Sequence, residues 1–441
     1  MSNETSTPLR VGIAGVGTVG ASVVRILRRR ADRLALRTGR SIVVSAVSAR
    51  SRSKDRGVDL EGLEWHDDAV GLARDGAIDV FVELIGGEDG PAKAAVEAAL
   101  QRGLPVITAN KALLAAHGLE LARLAEENDA ALLFEAAVAG GIPAIKTMRE
   151  AMRANSVDAV YGVLNGTCNY ILTRMEREQM AFADVLKDAQ ELGYAEADPT
   201  FDVGGFDTAH KLAILASLAF GIEPDGEGVS VEGIEEVTAA DIQSARELGY
   251  RIKLLGIARR GDGGVEQRVH PTMVSLDSPI ANVSGVTNAV AMHGDAVGTI
   301  FLSGPGAGGD ATASAVIADL CHVAIGAGGP VLGLPVSELK RAQIAQVTRH
   351  DGGFYIRMTV LDRVGVFASL SKHMSDEDVS LRSITQREVE KGTTDDGEAR
   401  KSIVLITHDV EERAVRRAVA AAEADGNVVG QARVIRIEAS A

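Results

Sequence analysis

Cysteine is almost missing: two residues among 441, Cys168 and Cys321, cannot build a disulfide framework. Aromatic side chains are scarce, with one Trp and five Tyr, so the stacking platforms of a single-strand nucleic-acid binder are lacking. Positive charge is in deficit. The 46 Lys and Arg stand against 61 Asp and Glu, a net charge of −15, which excludes a polyanion that must be gripped by displacing its counterions. The cluster Arg28, Arg29 and Arg30 reads as the solvated last turn of a first helix, where cations suit the helix dipole. No run of about 18 apolar residues occurs, so no helical membrane span is expected. The opening MSNETSTP has neither the basic nor the apolar segment of a secretion signal, and a cytoplasmic location is expected.

What the chain does have is Gly (48 residues) and an apolar fraction of 46%, in a pattern that alternates strands with helices and points to an α/β protein of roughly three domains. LRVGIAGVGTVGASVVRILRR reads as strand, turn and helix. Strand patterns follow at SIVVSAVSAR, Ile78 to Leu84, and PVIT, separated by Ala-rich helical stretches, as in a parallel doubly wound sheet. Residues 9–135 are therefore expected to form a Rossmann-type domain. From 136 to 306 helices such as FADVLKDAQELG and TAHKLAILASLAFG mix with strands such as VDAVYGVLN and VEQRVHPTMV, an α+β domain. The Gly-led helix of about 307–330 is expected to return to the first domain. A Gly/Pro-rich linker, Gly326 to Pro335, then leads to a βαββαβ series in 350–441, the ferredoxin-like order, expected to fold on its own.

GVGTVG supplies Gly15, Gly17, Thr18, Val19 and Gly20. After a strand and before a helix, such glycines let a pyrophosphate sit against the helix N-terminus. The second strand runs out in SARSRSK, with Arg50, Arg52 and Lys54 where an acidic residue would hold a free ribose 2′-hydroxyl; positive charge there suits a 2′-phosphate. NADP is favoured and NAD remains open, with a merely solvated basic loop as the alternative. TANKALL puts Lys111 just past a strand end. In GYAEADPTFDVGGFDTAHK, the acids Glu196, Asp198, Asp202 and Asp207 crowd a Gly- and Pro-containing stretch leading to Lys211, one helical turn after Asp207. A surface salt bridge is the plain reading of that last pair; a proton-transfer site is the other.

Taken together, GVGTVG, ELIGG, TANKALLAAHG, FEAAVAGGIPAI, LNGTCNYILT, ELGYAEADP, DVGGFDTAHKLAIL, VEGI, ELGYRIKLLG and GPGAGGDATASAV resemble the homoserine dehydrogenases, of the type with a C-terminal ACT domain. The resemblance implies NAD(P)-dependent interconversion of L-homoserine and L-aspartate 4-semialdehyde on the route to threonine and methionine. It implies that Glu196 and Asp207 hold the amino-acid substrate, that Lys211 is the proton donor with Lys111 at the nicotinamide end, and that Gly193 and Gly306 border the cofactor. Asp198 and Asp202 are left as loop caps. FEAAVAGGIP resembles the family's monovalent-cation loop, which carries sodium or potassium over to Glu135, Val138, Gly140 and Ile142. The C-terminal unit resembles an ACT domain through YIRMTVLDRVGVFASLSKHMSDEDVSLRSITQ, which implies threonine as a possible effector and a homodimer or homotetramer. DRVGVFA lacks the Pro usual before the Gly, and SDEDVS lacks a common Gly, so a weak or absent threonine response is expected. Two rival readings stand beside this: a thiol-dependent semialdehyde dehydrogenase using Cys168, and a catalytically silent sensor of NADP and amino acids.

Overall fold

The computed structural model describes residues 7–261, 263–343, 351–388 and 399–438. The β-branched opening forms β1 (Leu9–Ala14), which turns through Gly15 into α1 (Thr18–Arg29). There follow α2 (Ala31–Thr38), β2 (Ile42–Ser48), β3 (Glu64–His66), α3 (Ala69–Asp75), β4 (Val80–Glu83), α4 (Pro91–Gln101), β5 (Val106–Thr108), α5 (Lys111–Glu127) and β6 (Leu132–Leu133). All six strands pair in parallel in the order β3-β2-β1-β4-β5-β6. The order reverses between β1 and β4, which opens a crevice at the strands' carboxyl ends, where open α/β sheets bind ligands. The short β3 was not apparent in the sequence pattern. As expected, Arg28, Arg29 and Arg30 are exposed around the end of α1.

The middle of the chain gives α6 (Ala144–Lys146), β7 (Val157–Val163), α7 (Gly166–Glu178), α8 (Phe182–Glu191), α9 (Thr200–Val203), α10 (Phe206–Phe220), β8 (Ser230–Val231), α11 (Ala239–Glu247), β9 (Tyr250–Gly261), β10 (Gly264–Ser275), β11 (Thr287–Gly294), β12 (Gly298–Pro305) and α12 (Gly309–Ala324). The last of these does return to the first sheet. Ala313, Val316, Ile317 and Leu320 of α12 share one apolar cluster with Val23, Val24 and Leu27 of α1.

The C-terminal elements are β13 (Asp351–Leu361), α13 (Val366–Asp376), β14 (Leu381–Glu388), β15 (Arg400–Thr407), β16 (Val410–Glu411), α14 (Glu412–Ala424) and β17 (Arg433–Glu438). Residues 389–398, between β14 and β15, lie outside the described residues. Here the structure corrects an expectation, because the unit is not set apart from what precedes it. One sheet runs β12-β11-β7-β9-β10-β17-β13-β15-β14, and β10 pairs with β17 in parallel, Thr272 to Arg436, Met273 to Ile437 and Val274 to Glu438. Side chains tie the seam further. Arg268, 1% exposed, donates to the Glu438 carboxylate, and Arg357 and the Tyr355 hydroxyl both donate to Asp241 of α11. The expected linker is likewise no free tether: Val331 and Leu332 are buried in the main core, and Val336 N–H donates to Glu126 of α5. A local apolar alternation marks strands but not which strand each one meets, and so it left these partners unassigned.

Candidate active site

The Gly-rich turn is built for close approach. A Cβ on Gly15, whose φ is +99°, would stand 2.4 Å from the Leu84 carbonyl oxygen, and one on Gly20 would stand 2.2 Å from that of Gly15. Around Gly17, by contrast, a Cβ would meet nothing within 4 Å, which leaves the start of α1 open to a ligand. Two cavities flank this turn. One, of about 560 Å³, is lined by Gly17, Thr18, Ser22, Lys54 and Arg56 together with Gly309 and Asp310 of α12. The other, of about 630 Å³, is reached past Val19 and bordered by Lys111, Gly193, Asp202, Asp207 and Lys211. An adenosine end beside Lys54 and a nicotinamide end beside Lys111 fit this division, with the helix N-terminus between them for the phosphates.

At the floor of the second cavity Asp207, 4% exposed, is clasped on both sides. Its Oδ2 accepts from Lys211 Nζ at 2.6 Å and from Asn165 Nδ2 at 2.9 Å, and its Oδ1 lies 3.1 Å from Lys111 Nζ. Burial alone would raise its pKa, but Lys211 and Lys111, with the hydrogen bonds from Lys211 and Asn165, hold it well below the usual carboxylate range. Asp207 is therefore a fixed anion that positions two ammonium groups. Lys211 also donates to the Leu164 carbonyl at 2.7 Å. An ammonium has three N–H groups, so two are taken and one is left for an oxygen in the cavity.

The acidic cluster separates into different roles. Asp198 caps a turn as expected, accepting Thr200 N–H at 3.1 Å. Asp202 does not act as a cap; it lines the cavity, accepts the other Asn165 Nδ2 hydrogen at 2.7 Å, and has its pKa raised mainly by burial. Glu196 is exposed and does not line the cavity; its backbone carbonyl accepts a hydrogen bond from Gln190 Nε2 at 3.0 Å. Arg50 too is exposed and stands outside both cavities, whereas Arg56, not singled out in the sequence, joins Lys54. Asn165 was hidden inside LNGTCNY. An Asn before an apolar helical pattern signals an N-cap, and Asn165 does cap α7 by accepting Cys168 N–H, while its amide N–H₂ bridges the two carboxylates. Glu83, fully buried at the end of β4, accepts from Ile85 N, Gly86 N and Thr108 Oγ1 and so shapes the turn that borders the crevice.

Cys168 is buried, its thiol donates to the Asp202 carbonyl, and burial pushes its pKa well above the ordinary value. A thiol held protonated and outside the cavity lining is no nucleophile. In the cation loop, the Glu135 carboxylate accepts the N–H groups of Ile145 at 3.0 Å and Lys146 at 2.8 Å. Its pKa is raised to about 7 by burial and by neighbouring Asp319. Val138, Gly140 and Ile142 follow, with Ala139 and Gly140 both left-handed, φ +56° and +54°. A Cβ on Gly140 would stand 2.3 Å from the Gly306 carbonyl oxygen, so this loop closes directly against the cavity wall.

A dinucleotide crevice joined to a lysine–aspartate–lysine cluster centred on the buried Asp207 defines a nicotinamide-dependent oxidoreductase. Residues 15–135 match the family described as homoserine dehydrogenase, NAD binding domain, and residues 143–321 match homoserine dehydrogenase. The homoserine dehydrogenase of Pseudomonas aeruginosa is 44% identical over 98% of this chain and 99% of its own, and that of Neisseria gonorrhoeae is 40% identical over the same shares. The solved structure of the Thiobacillus denitrificans enzyme superposes with a TM-score of 0.91 at 41% identity, covering 99% of each chain. A hyperthermophilic archaeal homoserine dehydrogenase in complex with NADPH superposes with a TM-score of 0.63 at 27% identity, covering 73% of this chain and 99% of its own. The chain belongs to the homoserine dehydrogenase family, and its activity is that of an NAD(P)-dependent oxidoreductase of this kind. No helix among the described residues is long and apolar enough to cross a membrane.

Proposed function

We propose that Lys211 is the proton-transfer group in the interconversion of L-homoserine and L-aspartate 4-semialdehyde, a step toward threonine and methionine. The observation that carries this is the anchoring of Asp207 between Lys111 and Lys211, which leaves one Lys211 N–H for the substrate oxygen. The bound dinucleotide supplies or accepts the hydride, and the chain aligns the substrate and manages one proton. Lys111, the more exposed of the two lysines, stands toward the cofactor end. Asp207 is committed to its lysines, so Asp202, with only Asn165 on it, is the better acceptor for the substrate ammonium, and Glu196 takes part only if its segment folds inward. Homoserine-dependent reduction of NADP or NAD by the purified chain tests the reading.

NADP is favoured over NAD by Lys54 and Arg56 beside the first cavity; Arg50 belongs to this proposal as the outer end of the same basic loop. Thr18 and Val19 begin the helix that faces the phosphates, and Gly193 and Gly306 edge the nicotinamide side. A monovalent cation fits the loop of Glu135, Val138, Gly140 and Ile142: a hard ion takes oxygens, the Glu135 carboxylate is already engaged by two N–H groups, and carbonyl oxygens of the tight turn remain for it. We divide the chain into 9–135 with the 307–330 helix, 136–306, and 350–441 as an ACT-type regulatory unit. The β-α-β-β-α-β order of the last, once the two-residue β16 is set aside, and its strand order β17-β13-β15-β14 support that reading. Threonine is its expected effector, and a homodimer or homotetramer the expected assembly; sedimentation of the purified chain with and without threonine tests both.

A further inference from the structure

A second charged cavity lies behind the cation loop and shares no residue with the active site. It measures about 220 Å³ and is bounded by β6, the turn after α6 and the Gly-rich segment after α12, through Arg149, Glu150, Arg153, His322, Gly328 and Gly329. Arg149 is the unusual member. Its side chain is only 8% exposed, its nearest carboxylate oxygen, on Glu150, is 3.5 Å away, and it makes no hydrogen bond among the described residues. Arg436, whose side chain is 9% exposed, by contrast makes two bonds to Glu412 at 2.7 Å each. A guanidinium carries five N–H groups in a fixed fork, and Glu150 is the one carboxylate paired with that of Arg149 among the described residues. Glu150 is 41% exposed at the rim and lies 3.8 Å from His322, and the exposed Arg153 also lines the cavity.

We propose that this cavity binds a small oxyanion, a carboxylate or phosphate group held by the Arg149 fork with Arg153 and His322 closing over it. A forked guanidinium matches two oxygens of either group. The volume admits a phosphate or a short carboxylic acid and is too small for a dinucleotide. Its placement gives such a ligand access to the active site. Arg149 lies three residues beyond Lys146, which pairs with Asp319 at 3.0 Å, and Asp319 in turn accepts the Glu135 N–H, one residue before Ala136 and Ala137 of the active-site wall.

The full chain saturated with NADP, so that the dinucleotide's phosphate positions are filled, is titrated at constant ionic strength with millimolar inorganic phosphate and, separately, with succinate, following Tm and heat of binding. A saturable rise in Tm with at least one probe is expected, since a ligand of the native state stabilises it; the stronger probe tells phosphoryl from carboxylate chemistry. Arg149→Gln should weaken that binding at least tenfold, while ligand-free Arg149→Met should be no less stable than the parent. Should Arg149 variants fail to fold, Arg153→Gln and His322→Gln must each weaken binding measurably. No saturable response to either probe, or an undiminished one in these variants, overturns the site.

Discussion

At the scale of single residues, the chemistry depends on how many bonds each polar group has left. Lys211 has spent two N–H groups on Asp207 and Leu164, so Lys211→Ala should lose about two to four decades of kcat with little change in cofactor affinity; stopped-flow fluorescence of bound NADPH and steady-state rates check both. Asp207→Asn removes the charge that both lysines face and should harm kcat and homoserine KM together. The same assay separates the two outer acids: Asp202→Asn should raise homoserine KM more than Glu196→Gln, because only Asp202 lines the cavity. Cys168→Ala should turn over near normally; a large loss in kcat there would restore the thiol reading.

Among the elements, β9 carries a group that links stability to pH. Lys253 is 1% exposed and donates to Asn169 Oδ1 at 2.9 Å and the Val283 carbonyl at 2.5 Å. Asn169 Nδ2 reaches the Thr287 carbonyl at 3.0 Å, so this pair pins the loop whose Val286 lines the active-site cavity. Burial first, then Arg251, bring the Lys253 pKa down from 10.5 to about 7. Between those values the unfolded chain binds more protons than the folded one, so this group's share of stability is lowest and flat below pH 7 and rises with pH from there to 10.5. The difference in Tm between Lys253→Met and the parent should therefore shift steadily in the parent's favour from pH 7 to pH 10; a constant difference would show that Lys253 keeps one charge state. On the basic loop after β2, Lys54→Ala should weaken NADP more than NAD, and Arg50→Ala should do so less, as isothermal titration with each cofactor would read.

For the whole molecule the decisive feature is the parallel seam between β10 and β17. A chain ending at residue 343 would bare one edge of β10, take Glu438 from Arg268 and Arg259, and take Arg357 from Asp241. Removing one partner of a buried ion pair costs about 3–5 kcal/mol, so this truncation is expected to lose much of its Tm or aggregate, and Glu438→Gln in the full chain to lower Tm. Full activity and an unchanged Tm in the truncated chain would mean that the seam is only a contact between independent units.

What the sequence determined was local or carried by contiguous motifs: the glycine turn into α1, the main strands and helices of the first and last parts, and the Asp207–Lys211 pair one helical turn apart. Each of these rests on covalent spacing, which sets backbone conformation and same-face neighbours without reference to the rest of the chain. Tertiary structure alone decided the others. Asn165 meets Asp202 and Asp207 across 37 and 42 residues, Lys111 of α5 meets Asp207 of α10, and Arg268 finds Glu438 across 170 residues. It also decided which of four neighbouring acids face the cavity, Asp202 and Asp207, since Glu196 and Asp202 differ little in composition and surroundings along the chain, and only the packing of α7, α9 and α10 half-buries Asp202 and leaves Glu196 in water.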